Sequence, residues 1–89
     1  MDKYIGSYQT EDPNIIVKVI INKGRLSLNI TGQKTLLDLY PPDDGGVWLM
    51  RFNPSIGIIF NESDDGKIIS FTSILPDGTV LVRPRIENQ

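Results

Sequence analysis

Carboxylates are the side chains with which this chain comes nearest to chemistry. Asp43-Asp44 and Asp64-Asp65 are adjacent acidic pairs, a donor set that suits a hard cation such as calcium. The run Asn61-Glu62-Ser63-Asp64-Asp65-Gly66 loosely follows the opening of a calcium loop, but Thr72 stands where the closing bidentate glutamate belongs. Both pairs lie beside glycine, at Gly45-Gly46 and Gly66, so turn formation accounts for them and no metal site is expected. Asp38 is the one carboxylate embedded in a strand-like stretch. With Leu37 and Leu39 facing a core, it points to solvent.

Nucleophilic catalysis fails on inventory. A serine needs a base to take its proton, and the chain has no histidine and no cysteine. No serine has a lysine three positions later. Gly45-Gly46 and Gly66-Lys67 lack the spacing of a phosphate-binding loop. No catalytic residue, no cofactor and no enzymatic activity are expected. Nine Lys and Arg against eleven Asp and Glu leave a net charge of −2. The basic residues Lys18, Lys23, Arg25, Lys34, Arg51, Lys67, Arg83 and Arg85 are scattered, whereas a nucleic-acid module concentrates them on one face. No nucleic-acid partner is expected. Asn29-Ile30-Thr31 and Asn61-Glu62-Ser63 match the glycosylation pattern, which chance supplies readily among six asparagines.

The elements that hold these residues are strands. Turn residues recur at Glu11-Asp12-Pro13, Asn22-Lys23-Gly24, Thr31-Gly32-Gln33, the stretch 41–46, Asn53-Pro54-Ser55, the stretch 63–66 and Pro76-Asp77-Gly78. Seven turns at such spacing divide 89 residues into eight segments, the mark of an all-β sandwich or barrel. Residues 25–30 alternate, with Leu26, Leu28 and Ile30 on one face. Residues 47–52 place Trp48, Met50 and Phe52 together, and residues 79–83 oppose Val80 and Val82 to Leu81 and Arg83. Residues 34–40 have a weak helical spacing but stop at Pro41-Pro42, and are read as a strand. Short loops favour neighbours in sequence pairing in space. The expectation is therefore a single domain over residues 1–89: a small antiparallel up-and-down barrel of about eight strands, closed so that no edge is left to aggregate. The densest apolar run, residues 15–21, contains Lys18 and is too short to span a bilayer. No signal-like apolar stretch follows Met1, which fits a cytosolic chain or a domain cut from a longer precursor.

The order of motifs resembles a known family. Tyr4-Ile5-Gly6-Ser7-Tyr8 opens the chain, Gly24-Arg25-Leu26 follows the first hairpin, and Gly32-Gln33 and Leu39-Tyr40-Pro41 come next. Ile58-Ile59-Phe60, Gly66-Lys67-Ile68 and Arg85-Ile86 complete the series. The set resembles the lipocalin-like C-terminal domain of β-lactamase-like serine hydrolases related to penicillin-binding proteins, over residues 4–86. The resemblance implies an eight-stranded lipocalin-like barrel that packs on a catalytic domain or helps subunits assemble. No catalytic residue carries over, because that family's chemistry lies in the other domain.

Two sets of residues follow as candidate sites. Trp48, Met50, Phe52, Phe60 and Phe71 converge inside a barrel, where they fill the core or line a cavity for a small apolar ligand. Ile16, Ile20, Leu49, Ile59 and Leu81 face outward if Trp48, Ile58 and Val80 face in. Contiguous outward aliphatics mark an interface. The function expected is a non-catalytic accessory module that docks on a hydrolase domain or on a second copy of itself, with a lipocalin-like carrier of a small apolar ligand as the alternative.

Overall fold

The computed structural model describes residues 2–42 and 46–86. Asp43, Asp44 and Gly45, which include one of the acidic pairs, lie outside the described residues.

Alternation of apolar and polar residues produces strands, and the turn residues return each one against its predecessor. The strands are β1 (Gly6–Gln9), β2 (Ile16–Asn22), β3 (Arg25–Ile30), β4 (Leu37–Tyr40), β5 (Trp48–Met50), β6 (Gly57–Glu62), β7 (Ile68–Ile74) and β8 (Val80–Pro84). They form one sheet in the order β1 to β8, each antiparallel to the next. The β2–β3 hairpin shows how the turns set register. Lys23 (φ 53°) and Gly24 (φ 80°) both take positive φ, as a two-residue turn matched to strand twist requires, and Asn22 pairs with Arg25.

The sheet curls until its ends meet. Tyr8 bridges Arg85, and the Ile86 amide donates to the Ser7 carbonyl at 2.8 Å. The result is a nearly closed barrel, all-β as the sequence predicts. Its radius of gyration is 12.3 Å, close to the roughly 12 Å of a compact chain of this length.

Inside, Tyr8, Val17, Val19, Leu26, Leu28, Leu39, Trp48, Met50, Ile58, Ile68 and Phe71 make one buried cluster. An eight-stranded barrel is just wide enough for side chains to fill. A short 3₁₀ turn over Asp2–Tyr4 precedes β1 and was not expected from the sequence. It brings the Tyr4 ring 4.5 Å from Phe60 and 5.6 Å from Trp48, so the chain's start packs on one end of the barrel core.

Two expectations of facing are overturned. Phe52 is 82% exposed. The β5 strand ends at Met50, where the Asn53 amide donates to the Met50 carbonyl and the Asn53 side chain accepts from the Ser55 amide. The chain has already turned when it reaches Phe52, so alternation no longer applies. In β8 the phase is opposite to that expected. Pairing of Phe71 with Arg83 and of Ser73 with Leu81 turns Leu81 and Arg83 inward, while Val80 and Val82 are 56% and 57% exposed. Leu81 therefore leaves the outward set and Val80 and Val82 enter it.

Candidate functional site

Three places in the barrel hold the residues on which function is argued: the carboxylate on β4, the outer face of β5–β8, and the mouth between β1, β2 and β8.

Asp38 points outward, as expected, and is held from three sides. The Ser27 hydroxyl donates to its Oδ1 at 2.6 Å, Arg51 Nη1 lies 3.5 Å from its Oδ2, and its carbonyl accepts from the Arg51 amide at 2.9 Å. Ser27 is fully buried. Ser27, closed off from solvent, ties β3 to β4 through the Asp38 carboxylate, and Arg51 extends the tie to the end of β5. In the second acidic pair, Asp65 accepts from the Ser63 hydroxyl and from the Lys67 amide. The Ser63 hydrogen bond comes first among the influences holding its carboxyl below the ordinary range, followed by that of the Lys67 amide. Asp65 thus belongs to the β6–β7 turn. Among the described residues no three acidic side chains gather as a metal site would need.

Trp48, Met50 and Phe71 are buried, Phe60 is partly so, and they lie together inside the barrel. Phe60 lies edge-on to Trp48 at 6.1 Å and to Phe71 at 6.0 Å, and Tyr8 packs on Phe71 at 4.9 Å. The principal clefts of the surface are not lined by these four residues.

On the outside, the register places Tyr40, Leu49, Gly57, Ile74 and Val80 in one row around the barrel. Ile59, Thr72 and Val82 form the next row, and Asn61, Ser70 and Pro84 the third. None of these residues is charged. Leu49 is 39% exposed and lies diagonal to Ile59 across Gly57. A Cβ on Gly57 would meet Val47 Cγ1 at 2.9 Å, so Val47 fills the hollow between them. On the other side of the barrel the outward positions include Lys18, Arg25 and Asp38. Ile16 and Ile20 are outward and half-buried on β2, with Lys18 between them. The expected apolar patch is therefore confined to β5–β8. Sequence reasoning missed Ile74, Val80 and Val82, because the phase of β8 follows from pairing with β7 and from closure on β1.

The mouth was not anticipated. Where β1 ends at Gln9, residues 10–15 form the hairpin loop that leads into β2. An open cleft of about 620 Å³ lies there, lined by Thr10, Glu11, Asp12, Pro13, Ile15, Val17, Ile30, Gln33 and Arg83. Arg83 is its one basic residue, with a side chain only 14% exposed. Its Nη1 lies 2.6 Å from Oε1 of Glu11, whose side chain is 75% exposed. An inward arginine carries no signal in β8 alone, where Arg83 reads as an ordinary solvent-facing charge.

No protein-family model, curated protein or solved structure matches this chain.

Proposed function

We propose that this barrel is a non-catalytic docking module whose outer face over β5–β8 packs against an apolar protein surface. The observation that carries the reading is the uncharged run of outward residues from Leu49 through Ile59 and Ile74 to Val80 and Val82. Scattered exposed aliphatics are ordinary, but a contiguous patch marks a contact surface. The depletion of charge is the compositional sign of an interface core. A face without charge also meets a symmetric copy of itself without like-charge repulsion. Two occupants suit it: a second copy of the chain, or a β-lactamase-like hydrolase domain of the kind the motif order suggests.

Analytical ultracentrifugation over a hundredfold concentration range, alone and with such a hydrolase domain, separates the two. The expected result is a concentration-dependent dimer or a heterocomplex. Ile59→Asp and Val82→Asp each weaken association by at least about tenfold, as expected for a charge forced into an apolar contact. Circular dichroism and the melting temperature change little. A chain that stays monomeric throughout and binds no hydrolase domain overturns the reading.

A further inference from the structure

The mouth of the barrel has the composition of a binding site whose occupant is supplied by the protein itself. Arg83 projects inward from β8 beside Phe71, and its cleft is walled by Ile15, Val17 and Ile30. Among the described residues its guanidinium meets one carboxylate oxygen, Oε1 of Glu11, through one nitrogen. A guanidinium offers five N–H donors in a planar fork and matches a carboxylate best with two parallel bonds. The Glu11 contact is thus a one-point grip where a two-point one is available.

The loop that carries Glu11 does not rely on that grip. The Ile15 amide donates to the Asp12 carbonyl at 3.0 Å, the Asn14 amide to Asp12 Oδ1 at 2.9 Å, and the Asp12 amide to Thr10 Oγ1 at 3.1 Å. These bonds hold residues 10–15 by themselves and turn one oxygen of the Asp12 carboxylate to the Asn14 amide. Glu11 can swing into water by rotating its side chain, with no change in the loop.

We propose that the mouth binds a small carboxylate with an apolar tail. Its carboxylate takes the fork of Arg83 in place of Glu11, and its tail lies on Ile15, Val17 and Ile30. The tail stays at the mouth, because the interior beyond is occupied by Phe71, Tyr8 and Leu28. A partly buried guanidinium between aliphatic walls selects this class: the cation demands an anion, and the walls reward an apolar body. The site is separate from the docking face, and its test is independent of that reading.

Octanoate is the probe, titrated by NMR into the ¹⁵N-labelled chain, with 1-octanol as the neutral control. Saturable shifts centred on the amides of Ile15, Val17, Ile30 and Arg83 are expected, with octanol at least about tenfold weaker for want of a charge-assisted bond. Glu11→Gln removes the competing carboxylate at an exposed position and tightens octanoate several-fold. Arg83→Met weakens it about tenfold or more; should that variant not fold, Glu11→Gln decides alone. Equal binding of octanol, shifts centred on β5–β8, no saturable shift at all, or a Glu11→Gln variant that binds no tighter than the parent each overturns the proposal.

Discussion

Tyr8 shows how much one side chain can join. It is fully buried, packs edge-on against Phe71, and donates its hydroxyl to the Tyr4 carbonyl at 2.8 Å. The core, the barrel closure and the N-terminal turn therefore share this residue. Burial raises its phenol above the ordinary value, against a smaller opposing pull from Arg85. The linkage has a definite sign. Below about pH 10 the phenol is neutral in both folded and unfolded chains. As pH rises further, the unfolded chain releases the proton first, so stability is lost as pH rises through the folded-state value. Tyr8→Phe should cost about 1 kcal/mol at pH 8, from the missing hydrogen bond. The gap to the parent should narrow between pH 9 and 11. Urea midpoints across that range check both; a gap that widens with pH would refute the burial argument. Of the features at this scale, the outward Asp38 and the inward Trp48 and Met50 were legible in the sequence from alternation, whereas Phe60 and Phe71 lie in stretches that are apolar on both faces, so their inward facing was expected from their size and not from a clear period. Phe52 was not legible. The next residue, Asn53, captures the turn early, and alternation alone cannot say where a strand stops.

Among elements, β8 is the instructive one. Its sequence places valines on one face and Leu81 with Arg83 on the other, and a charge normally marks the wet side. Pairing reverses that: the Tyr8–Arg85 bridge and the Phe71–Arg83 pair fix the register, and Arg83 goes in. The information that sets the phase lies in β1 and β7, far away in sequence. The candidate docking face was therefore half legible, with Leu49 and Ile59 placed correctly and its β8 contribution misplaced. Substitution tests the phase directly. Leu81→Ala should destabilise by about 1–3 kcal/mol, as a partly buried leucine does. Val80→Thr and Val82→Thr should stay within about 0.5 kcal/mol. Chemical denaturation at micromolar concentration, dilute enough to limit self-association, measures all three. Comparable losses at Val82 and Leu81 would contradict the facing described. The 3₁₀ turn at Asp2–Tyr4 had no periodic signal to announce it, since three residues are too few to show one.

At the scale of the whole molecule, the meander was legible because every connection is short and rich in turn residues. The side chain that reinforces its closure was not, since backbone bonds at the seam are joined there by one arginine. The Arg85 guanidinium donates to the Ile5 carbonyl at 2.5 Å and to the Ile68 carbonyl at 3.1 Å. The space it needs comes from Gly6, where a Cβ would sit 2.8 Å from Arg85 Nε. This side chain ties the start of β1 to β7 across the seam. Arg85→Met should therefore lower stability by about 2–3 kcal/mol, the range for bonds made by a charged donor. Amide exchange should quicken first at Ile86 and along β1, ahead of β2 and β3. Hydrogen exchange followed by NMR reads the order, and uniform acceleration around the barrel would count against a local clasp.

The seam also decides how the barrel answers a pull. The first and last described segments meet on the same side of it, since Arg85 Nη1 reaches within 3.4 Å of the Lys3 carbonyl. Strand-to-strand hydrogen bonds run across the strands, so tension between the two ends would load those at the seam one after another, as in a zip, instead of all together in shear. A domain tethered at both ends would open there at low force, while the β2–β3 hairpin and the β6–β7 pair behind it stayed intact.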